Sequence, residues 1–87
     1  MREGDTLTDT QIVDLFFRRS EQAISAAEAQ YGLYCLRISM NILGVRQDAE
    51  ECLSDTWLAA WNRIPPTRPR RLGVFLGAIT RTLSIDR

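Results

Sequence analysis

Apolar residues recur at the spacing of an α-helix through most of the chain. In "DAEECLSDTWLAAW", residues 48–61, placing successive residues 100° apart brings a mainly apolar set of residues onto one arc of about 100°. That arc comprises Ala49, Leu53, Thr56, Trp57, Ala60 and the following Ile64. The opposite arc comprises Asp48, Glu51, Asp55, Leu58, Ala59 and Asn62. The apolar arc predicts a helix packed on a core, whereas an acidic arc around a leucine needs a second explanation.

Three further helices are predicted by the same spacing, with ends marked by capping residues, glycines and prolines. The first begins near Thr8, within "TDTQ", and the second restarts the chain at Ser20 and ends at Gly44. The last begins near Leu72, because the prolines of "IPPTRPRRLG" cannot continue a helix. No segment alternates as a strand does. We expect an all-α fold, a small helical bundle of three to four helices with a Pro/Arg-rich loop before the last helix.

Several local sequence features lead to further predictions about these helices. Asp48, with Glu51 three residues later, resembles a capping box for the third helix. Gly32 lies inside the second helix and marks a break, a bend or a close helix approach. In the last helix the expected core stripe comprises Leu72, Phe75, Leu76, Ile79 and Leu83. The side expected to face away comprises Gly73, Gly77, Arg81 and Ser84.

The composition argues against several classes of function. With 87 residues, 45% apolar and 25% charged, the chain suits one small globular domain. It contains no histidine and no glycine-rich phosphate loop, so we expect no enzymatic activity. Cys35 and Cys52 lie in apolar helical patterns and are expected to be unpaired, buried thiols. Because no apolar run spans a membrane and the N-terminus lacks a signal peptide, we expect a cytoplasmic domain without membrane contact.

The carboxylates of the third helix also raise the question of a metal site. Asp48, Glu51 and Asp55 project from one side. Di-metal bundles combine carboxylates with histidines from several helices, and this chain has no histidine and no second array of carboxylates, so we expect no metal and no cofactor. Acidic residues in a first turn favour the helix dipole. Asp55 lies two turns further along, where the dipole explains little.

Charge is distributed unevenly, although the net charge is zero. Residues 1–62 contain ten acidic residues and five arginines, whereas residues 63–87 contain six arginines and only Asp86. An acidic body with a basic end predicts two partners of opposite charge. Arginine pairs with phosphate and stacks on bases, and prolines would hold such side chains beside a strand at small entropic cost. Gly73 and Gly77 would let DNA approach the backbone closely.

Three stretches, taken in order, resemble one known family. "YGLYCLRISMNILG" resembles its opening helix, "DAEECLSDTWLAAW" its "DAEDLVQETFLRAW" stretch, and "AITRTLSIDR" its "RIARNLAIDR" stretch. The family is the second conserved region of bacterial RNA polymerase sigma factors, in the extracytoplasmic-function (ECF) group of the sigma-70 family. The resemblance covers about residues 20–87. It implies a region 2 domain over residues 1–87, with 1–7 as a flexible tail and 65–71 as a promoter-binding loop.

The resemblance implies a transcription initiation factor that binds RNA polymerase core. In the family, the "DAED…QET" helix docks on a coiled coil of the clamp, in the beta-prime subunit. By position, the implied polymerase contacts are Asp48, Glu51, Ser54, Asp55, Leu58 and Trp61. Thr56 also matches a contact position but lies in the core arc. Such a face suits a basic, partly apolar helix, which would explain an acidic arc around a leucine.

The resemblance also implies promoter DNA as a partner. In the family, the loop and the last helix recognise and melt the −10 element by capturing its single-stranded non-template strand, with a flipped base in a pocket of the loop. Rigid loops and arginines suit that task. The implied DNA contacts are Arg63, Arg68, Arg70, Arg71, Arg81, Ser84 and Arg87. Phe75 matches a tryptophan of the family, but it lies in the core stripe and we expect it to pack.

Departures from the family leave other functions open. Ser54 stands where the family has glutamine, Thr82 replaces asparagine, and the region 4 helix-turn-helix domain is absent from these 87 residues. We therefore expect an excised domain or a naturally short member that starts transcription inefficiently by itself. The alternative is a sigma-like interaction module that binds polymerase or an anti-sigma factor without DNA. A small helical enzyme is a third candidate, which the lack of histidine disfavours.

Overall fold

The computed structural model describes residues 7–87, which form four α-helices. α1 spans Asp9–Phe17, α2 spans Gln22–Leu43, α3 spans Arg46–Arg63 and α4 spans Leu72–Asp86. The described residues contain no strand, and the all-α bundle expected from the sequence is confirmed. Residues 1–6 of the expected flexible tail lie outside this description. None of the four helices has the length and hydropathy that a membrane span requires.

Local sequence signals set the ends of α1 and α2. Thr8 and Gln11 form a capping box, in which the Gln11 N–H donates to Thr8 Oγ1 at 3.1 Å and the Thr8 N–H donates to Gln11 Oε1 at 2.9 Å. Ser20 Oγ accepts the Gln22 N–H at 3.2 Å at the start of α2. Gly44 follows α2 with a φ of 73°, the left-handed conformation that glycine adopts most readily.

The capping box expected for α3 is not formed, and two of the three roles expected for Gly32, a break and a close helix approach, are not observed. α3 begins at residue 46, and its N-cap, Val45, forms no side-chain hydrogen bond, so Asp48 and Glu51 are not a capping box. α2 continues through Gly32 without a break. A Cβ at Gly32 would make only an ordinary contact of 3.5 Å with a side chain of the same helix, so no other helix approaches closely there.

One hydrophobic core joins the four helices. The apolar arc predicted for α3 is confirmed, since Leu53 is half-buried and the rest of the arc is buried. The largest fully buried apolar side chains are Phe16, Ile12, Ile64, Leu72, Leu76 and Val13. Each such side chain stabilises the fold by about 1.5–3 kcal/mol. Cys35 and Cys52 are buried and unpaired, as expected, and burial raises the pKa of the Cys35 thiol.

Two glycines of α4 receive tyrosine side chains of α2, which corrects the expectation that they face away. A Cβ at Gly73 would lie 2.7 Å from Tyr31 Cε1, and one at Gly77 would lie 2.9 Å from Tyr34 Cε2. Real Cβ atoms do not approach that closely, so each glycine makes room for a ring. These glycines let α2, rather than DNA, come close to α4.

Two pairs of buried hydroxyls join α4 to its neighbours. Thr56 Oγ1 and Thr80 Oγ1 are 2.9 Å apart between α3 and α4, and each lies 2.8–3.0 Å from the carbonyl four residues earlier. Ser84 Oγ donates to Ser39 Oγ of α2 at 2.8 Å. Buried polar groups are normally paired, and here the pairing is across helices. The outward orientation predicted for Ser84 is therefore wrong.

Candidate functional site

The outer side of α3 carries the acidic face, defined here as Asp48, Glu51, Ser54, Asp55 and Leu58. Asp48 is half-buried and the other four residues are exposed. Leu58 leaves 58% of its surface in solvent. An exposed apolar side chain with carboxylates around it is a typical arrangement for a protein-binding surface whose partner is basic at its rim.

A groove of about 550 Å³ lies next to the acidic face, between α2 and α3. Leu33, Leu36 and Leu53 line it together with Ser54, so the groove and the acidic face share a residue. Leu33 is 65% exposed. The sequence reasoning missed Leu33 and Leu36. The signal that could have found Leu33 is its position about half a turn from Tyr31, which places the two side chains on different faces of α2.

Trp61, predicted as a polymerase contact, packs against α1 and the turn after it. Its ring centroid is 6.3 Å from that of Phe16, with the planes at 55°. The Arg19 guanidinium lies 3.7 Å from the Trp61 ring centroid, a cation–π distance. Trp61 is half-buried, so a partner could reach only the part of the indole that remains in solvent.

The arginine loop, residues 65–71, connects α3 to α4. Arg70 and Arg71 are exposed, and no ion pair within residues 7–87 includes either. Arg68 is held differently: its Nη1 is 3.2 Å from Asp14 Oδ1, and its guanidinium lies 4.2 Å from the Phe17 ring centroid. The loop thus presents two arginines to solvent and directs a third back onto α1.

A cleft of about 410 Å³ separates the arginine loop from α1. Its lining combines arginines, a proline, an apolar side chain and a hydroxyl: Thr10, Val13, Arg68, Pro69 and Arg70. The guanidinium groups suit phosphate, and the apolar atoms suit the face of a base. The sequence predicted the loop side of this cleft but not the contribution of α1.

A smaller cleft of about 260 Å³ lies along the outer side of α4. It is lined by Arg63, Val74, Phe75, Ala78, Ile79, Thr82 and Leu83. Phe75 is half-buried and packs against the core, as expected, while part of its ring borders the cleft. Val74, which the sequence reasoning did not single out, is 59% exposed.

The seven predicted DNA contacts have three different environments. Arg63, Arg70, Arg71 and Arg81 are exposed. Arg68 pairs with Asp14, and Arg87 pairs with Glu51 of the acidic face, so these cations already have an acidic neighbour. Ser84 is buried with its hydroxyl bonded to α2, so it does not reach DNA, and that prediction is wrong.

Residues of α1 and of the turn after it bind the backbone on both sides of the arginine loop, which the sequence reasoning missed. The Leu72 N–H donates to Asp9 Oδ2 at 3.1 Å, and the Tyr31 hydroxyl donates to Asp9 Oδ1. Arg19 Nη1 donates to the carbonyls of Trp61 at 2.8 Å and Ile64 at 2.7 Å. Burial and the neighbouring Asp9 carboxylate raise the pKa of Tyr31, because both disfavour the tyrosinate.

Among residues 7–87, no three His, Cys, Asp or Glu side chains cluster in a way that could hold a metal ion. The acidic face and the arginine loop offer charged groups, hydrogen-bonding groups and, at Leu58, exposed apolar surface. The acidic face with its groove and the arginine loop with its cleft are two surfaces of opposite charge.

Comparison with known proteins identifies the family. The family model of sigma-70 region 2 matches residues 29–87, about two thirds of the chain. Searches of curated proteins and of solved structures give no significant match. The match covers most of α2, all of α3 and α4, and the arginine loop, but not α1. Region 2 is a transcription-factor domain whose general roles are RNA polymerase binding and −10 promoter recognition. The chain therefore belongs to the sigma-70 family, as a region 2 domain.

Proposed function

We propose that this domain docks on the clamp coiled coil of RNA polymerase through the acidic face and captures single-stranded non-template DNA of the −10 element through the arginine loop. The observation that carries the proposal is the match to sigma-70 region 2, because residues 29–87 include both surfaces. The proposal includes a cytoplasmic location, residues 65–71 as the promoter-binding loop, and membership of the ECF group of sigma factors.

The acidic face supports polymerase docking through its combination of charge and apolar surface. Asp55 and Leu58 are exposed side by side on α3, and the groove adds exposed leucine surface next to them. A basic helix with apolar positions would bury Leu58 and Leu33 and pair with the carboxylates at the rim. The exposed ion pair between Glu51 and Arg87 competes only weakly with docking, because surface ion pairs contribute about 0–1 kcal/mol.

The arginine loop supports strand capture because its exposed cations lie next to a cleft of nucleotide-compatible chemistry. Arg70 belongs to the cleft, and Arg71 follows it at the start of α4. Phosphates would pair with these guanidinium groups while a flipped base packs against Pro69, the half-buried apolar residue of the cleft. Holding one base out of the stack favours the open strand over the duplex, which is how capture would promote melting.

The two surfaces can be tested separately by charge reversal. We expect Asp55→Arg to abolish saturable binding to a labelled clamp coiled coil and to retain binding to a −10 non-template oligonucleotide. The double variant Arg70→Glu/Arg71→Glu should do the opposite. Arg37→Glu, which reverses an exposed charge on α2, is the matched control and should change neither. Failure of the folded wild-type domain to bind the coiled coil would overturn the docking half of the proposal.

Salt dependence tests the DNA half independently. The slope of log K against log salt for single strands is about −0.7 per phosphate contact, so four exposed arginines predict a slope of about −3. Replacing Arg70 alone should make the slope less steep by about 0.7. We expect weak, micromolar binding by the isolated domain. Tight binding to duplex DNA that is insensitive to salt would contradict single-strand capture.

A second function, protein interaction without DNA, is favoured by one set of contacts. Ser84 is buried, and Arg68 and Arg87 each have an acidic partner, so fewer groups face DNA than the resemblance implied. The groove with Leu33 would then serve polymerase or an anti-sigma factor. Binding of the clamp coiled coil or an anti-sigma factor, with no binding of single-stranded DNA even at low salt, would support this alternative.

A further inference from the structure

The start of α4 is capped by a residue of another helix. Its own N-cap, Arg71, forms no side-chain hydrogen bond. The first N–H groups of a helix have no intrahelical acceptor, and the Leu72 N–H is the first of them in α4. Asp9, 63 positions earlier, supplies the acceptor at 3.1 Å, and its negative charge also suits a helix N-terminus. The Tyr31 hydroxyl donates to the other oxygen of the same carboxylate.

At the end of α3, a carbonyl without an intrahelical donor accepts a hydrogen bond from Arg19. In a continuous helix the Trp61 carbonyl would accept the N–H of residue 65, but Pro65 has no N–H. Arg19 Nη1 donates to this carbonyl at 2.8 Å and to that of Ile64 at 2.7 Å. Arg19 itself has a φ of 55°, which is rare for a residue with a Cβ. Such backbone strain persists where surrounding contacts hold it, and it is enriched at functional sites.

The middle of the arginine loop is attached to α1 as well. Arg68 pairs with Asp14 and stacks on Phe17. The loop is therefore held at its start, middle and end by residues 9–19, all of which lie outside the region that the family model matches. Among the described residues, α1 and the turn after it supply the side-chain hydrogen bonds to the backbone on both sides of the loop.

We propose that Asp9 and Arg19 are positioning residues for DNA capture, which fix the two ends of the arginine loop so that Arg70 and Arg71 are presented in one arrangement. The inference rests on the proposed strand capture. A loop that is ordered before binding loses less conformational entropy when the DNA strand binds. Conformers that cannot bind the strand are then rare, so they do not weaken the apparent affinity of the domain for DNA. α1 and the turn after it thereby contribute to DNA binding, although neither Asp9 nor Arg19 contacts phosphate.

The order of the loop can be measured by limited trypsin digestion with mass spectrometry. Cleavage is possible after Arg70 and Arg71, whereas Pro69 protects the bond after Arg68. Asp9→Ala leaves the Leu72 N–H without its acceptor, so we expect loop cleavage about tenfold faster than in wild type. Asp9→Asn keeps an oxygen for this N–H and an amide for the Tyr31 hydroxyl, and should return cleavage to within about twofold of wild type.

Two controls separate loop opening from loss of the fold. Cleavage after Arg37, in the middle of α2, reports global unfolding in the same digest and should rise much less than loop cleavage. Tyr31→Phe removes the second partner of Asp9 but leaves the bond to Leu72, and should keep the loop protected. Equal loop cleavage in Asp9→Ala and wild type would overturn the inference that Asp9 orders the loop.

Binding measurements then test whether that order matters for function. Asp9→Ala should bind the −10 oligonucleotide about threefold to tenfold more weakly, with Asp9→Asn restoring affinity and clamp binding unchanged in both. Faster loop cleavage with unchanged DNA affinity would overturn the positioning role. Absence of DNA binding by the wild-type domain would instead overturn the proposed strand capture, and the digestion would distinguish that failure because it needs no DNA.

Discussion

Replacing Arg19 tests how the end of α3 is stabilised. Arg19→Ala removes two hydrogen bonds to backbone carbonyls and the stacking of the guanidinium on Trp61. Hydrogen bonds to charged groups contribute about 1.5–3 kcal/mol, with the exposed bond to Trp61 at the low end, and an exposed cation–π contact about 0.5–1 kcal/mol. Because these contributions overlap, we expect a loss of about 2–3 kcal/mol in the free energy of unfolding.

Comparison with Arg19→Gly isolates the backbone strain. At a φ of 55°, alanine retains a left-handed conformation that costs a residue with a Cβ about 1–2 kcal/mol, whereas glycine is relieved of it. The greater freedom of glycine in the unfolded chain offsets about 0.5–1 kcal/mol of that gain. The glycine variant should therefore be about 0.5–1 kcal/mol more stable than the alanine variant, the reverse of their order in helices.

Urea denaturation followed by far-ultraviolet circular dichroism measures both differences. With a slope of about 1–3 kcal/mol per molar, a loss of 2–3 kcal/mol lowers the urea midpoint by about 1–2 M. Arg18→Ala removes the adjacent exposed arginine and should stay within about 0.5 kcal/mol of wild type. A wild-type midpoint for Arg19→Ala would show that water satisfies the carbonyls equally well. An alanine variant as stable as the glycine variant would refute the strain argument.

Three further predictions concern glycines, buried hydroxyls and the titration of Tyr31. Gly32→Ala should raise the free energy of unfolding by about 0.5–1 kcal/mol, because its Cβ makes only an ordinary contact. Gly73→Ala should lower it by about 1–3 kcal/mol, because its Cβ would clash with the Tyr31 ring, and urea midpoints measure both changes. Thr56→Val and Thr80→Val should each cost about 1 kcal/mol, and the double variant less than their sum in a double-mutant cycle. Above pH 10.0, the ordinary pKa of tyrosine, the unfolded state loses a proton that folded Tyr31 still holds, so the free energy of unfolding should fall as pH rises. Denaturation at several pH values should show a less steep fall in Tyr31→Phe.

Each of these predictions has an outcome that contradicts it. A destabilised Gly32→Ala would mean that α2 is more crowded there than the structure shows. Strictly additive costs for Thr56 and Thr80 would mean that their hydroxyls do not depend on each other. Equal pH dependence in wild type and Tyr31→Phe would mean that the hydroxyl of Tyr31 titrates in the folded state as it does in the unfolded chain.

The sequence alone determined the helices, the charge asymmetry and the family. The helix ends depend on residues close by in the chain, such as Thr8, Gly44 and the prolines, so the sequence alone can predict them. The same holds for the apolar arc of α3, because burial of Trp57 and its neighbours follows from the period of a single helix. The family resemblance, now confirmed as sigma-70 region 2 over residues 29–87, also depends only on the order of residues.

The tertiary structure alone decided what the small and polar residues do. Glycine and serine carry too little apolar area to specify a face, so whether Gly77 or Ser84 lies outside or inside depends on the side chain that another helix brings to it. Asp9 and Arg19 act on backbone groups 42 to 63 positions away, and nothing in the local pattern indicates such partners. Burying a polar group is favourable only when its hydrogen bond is satisfied, and that bond exists only once the helices have packed.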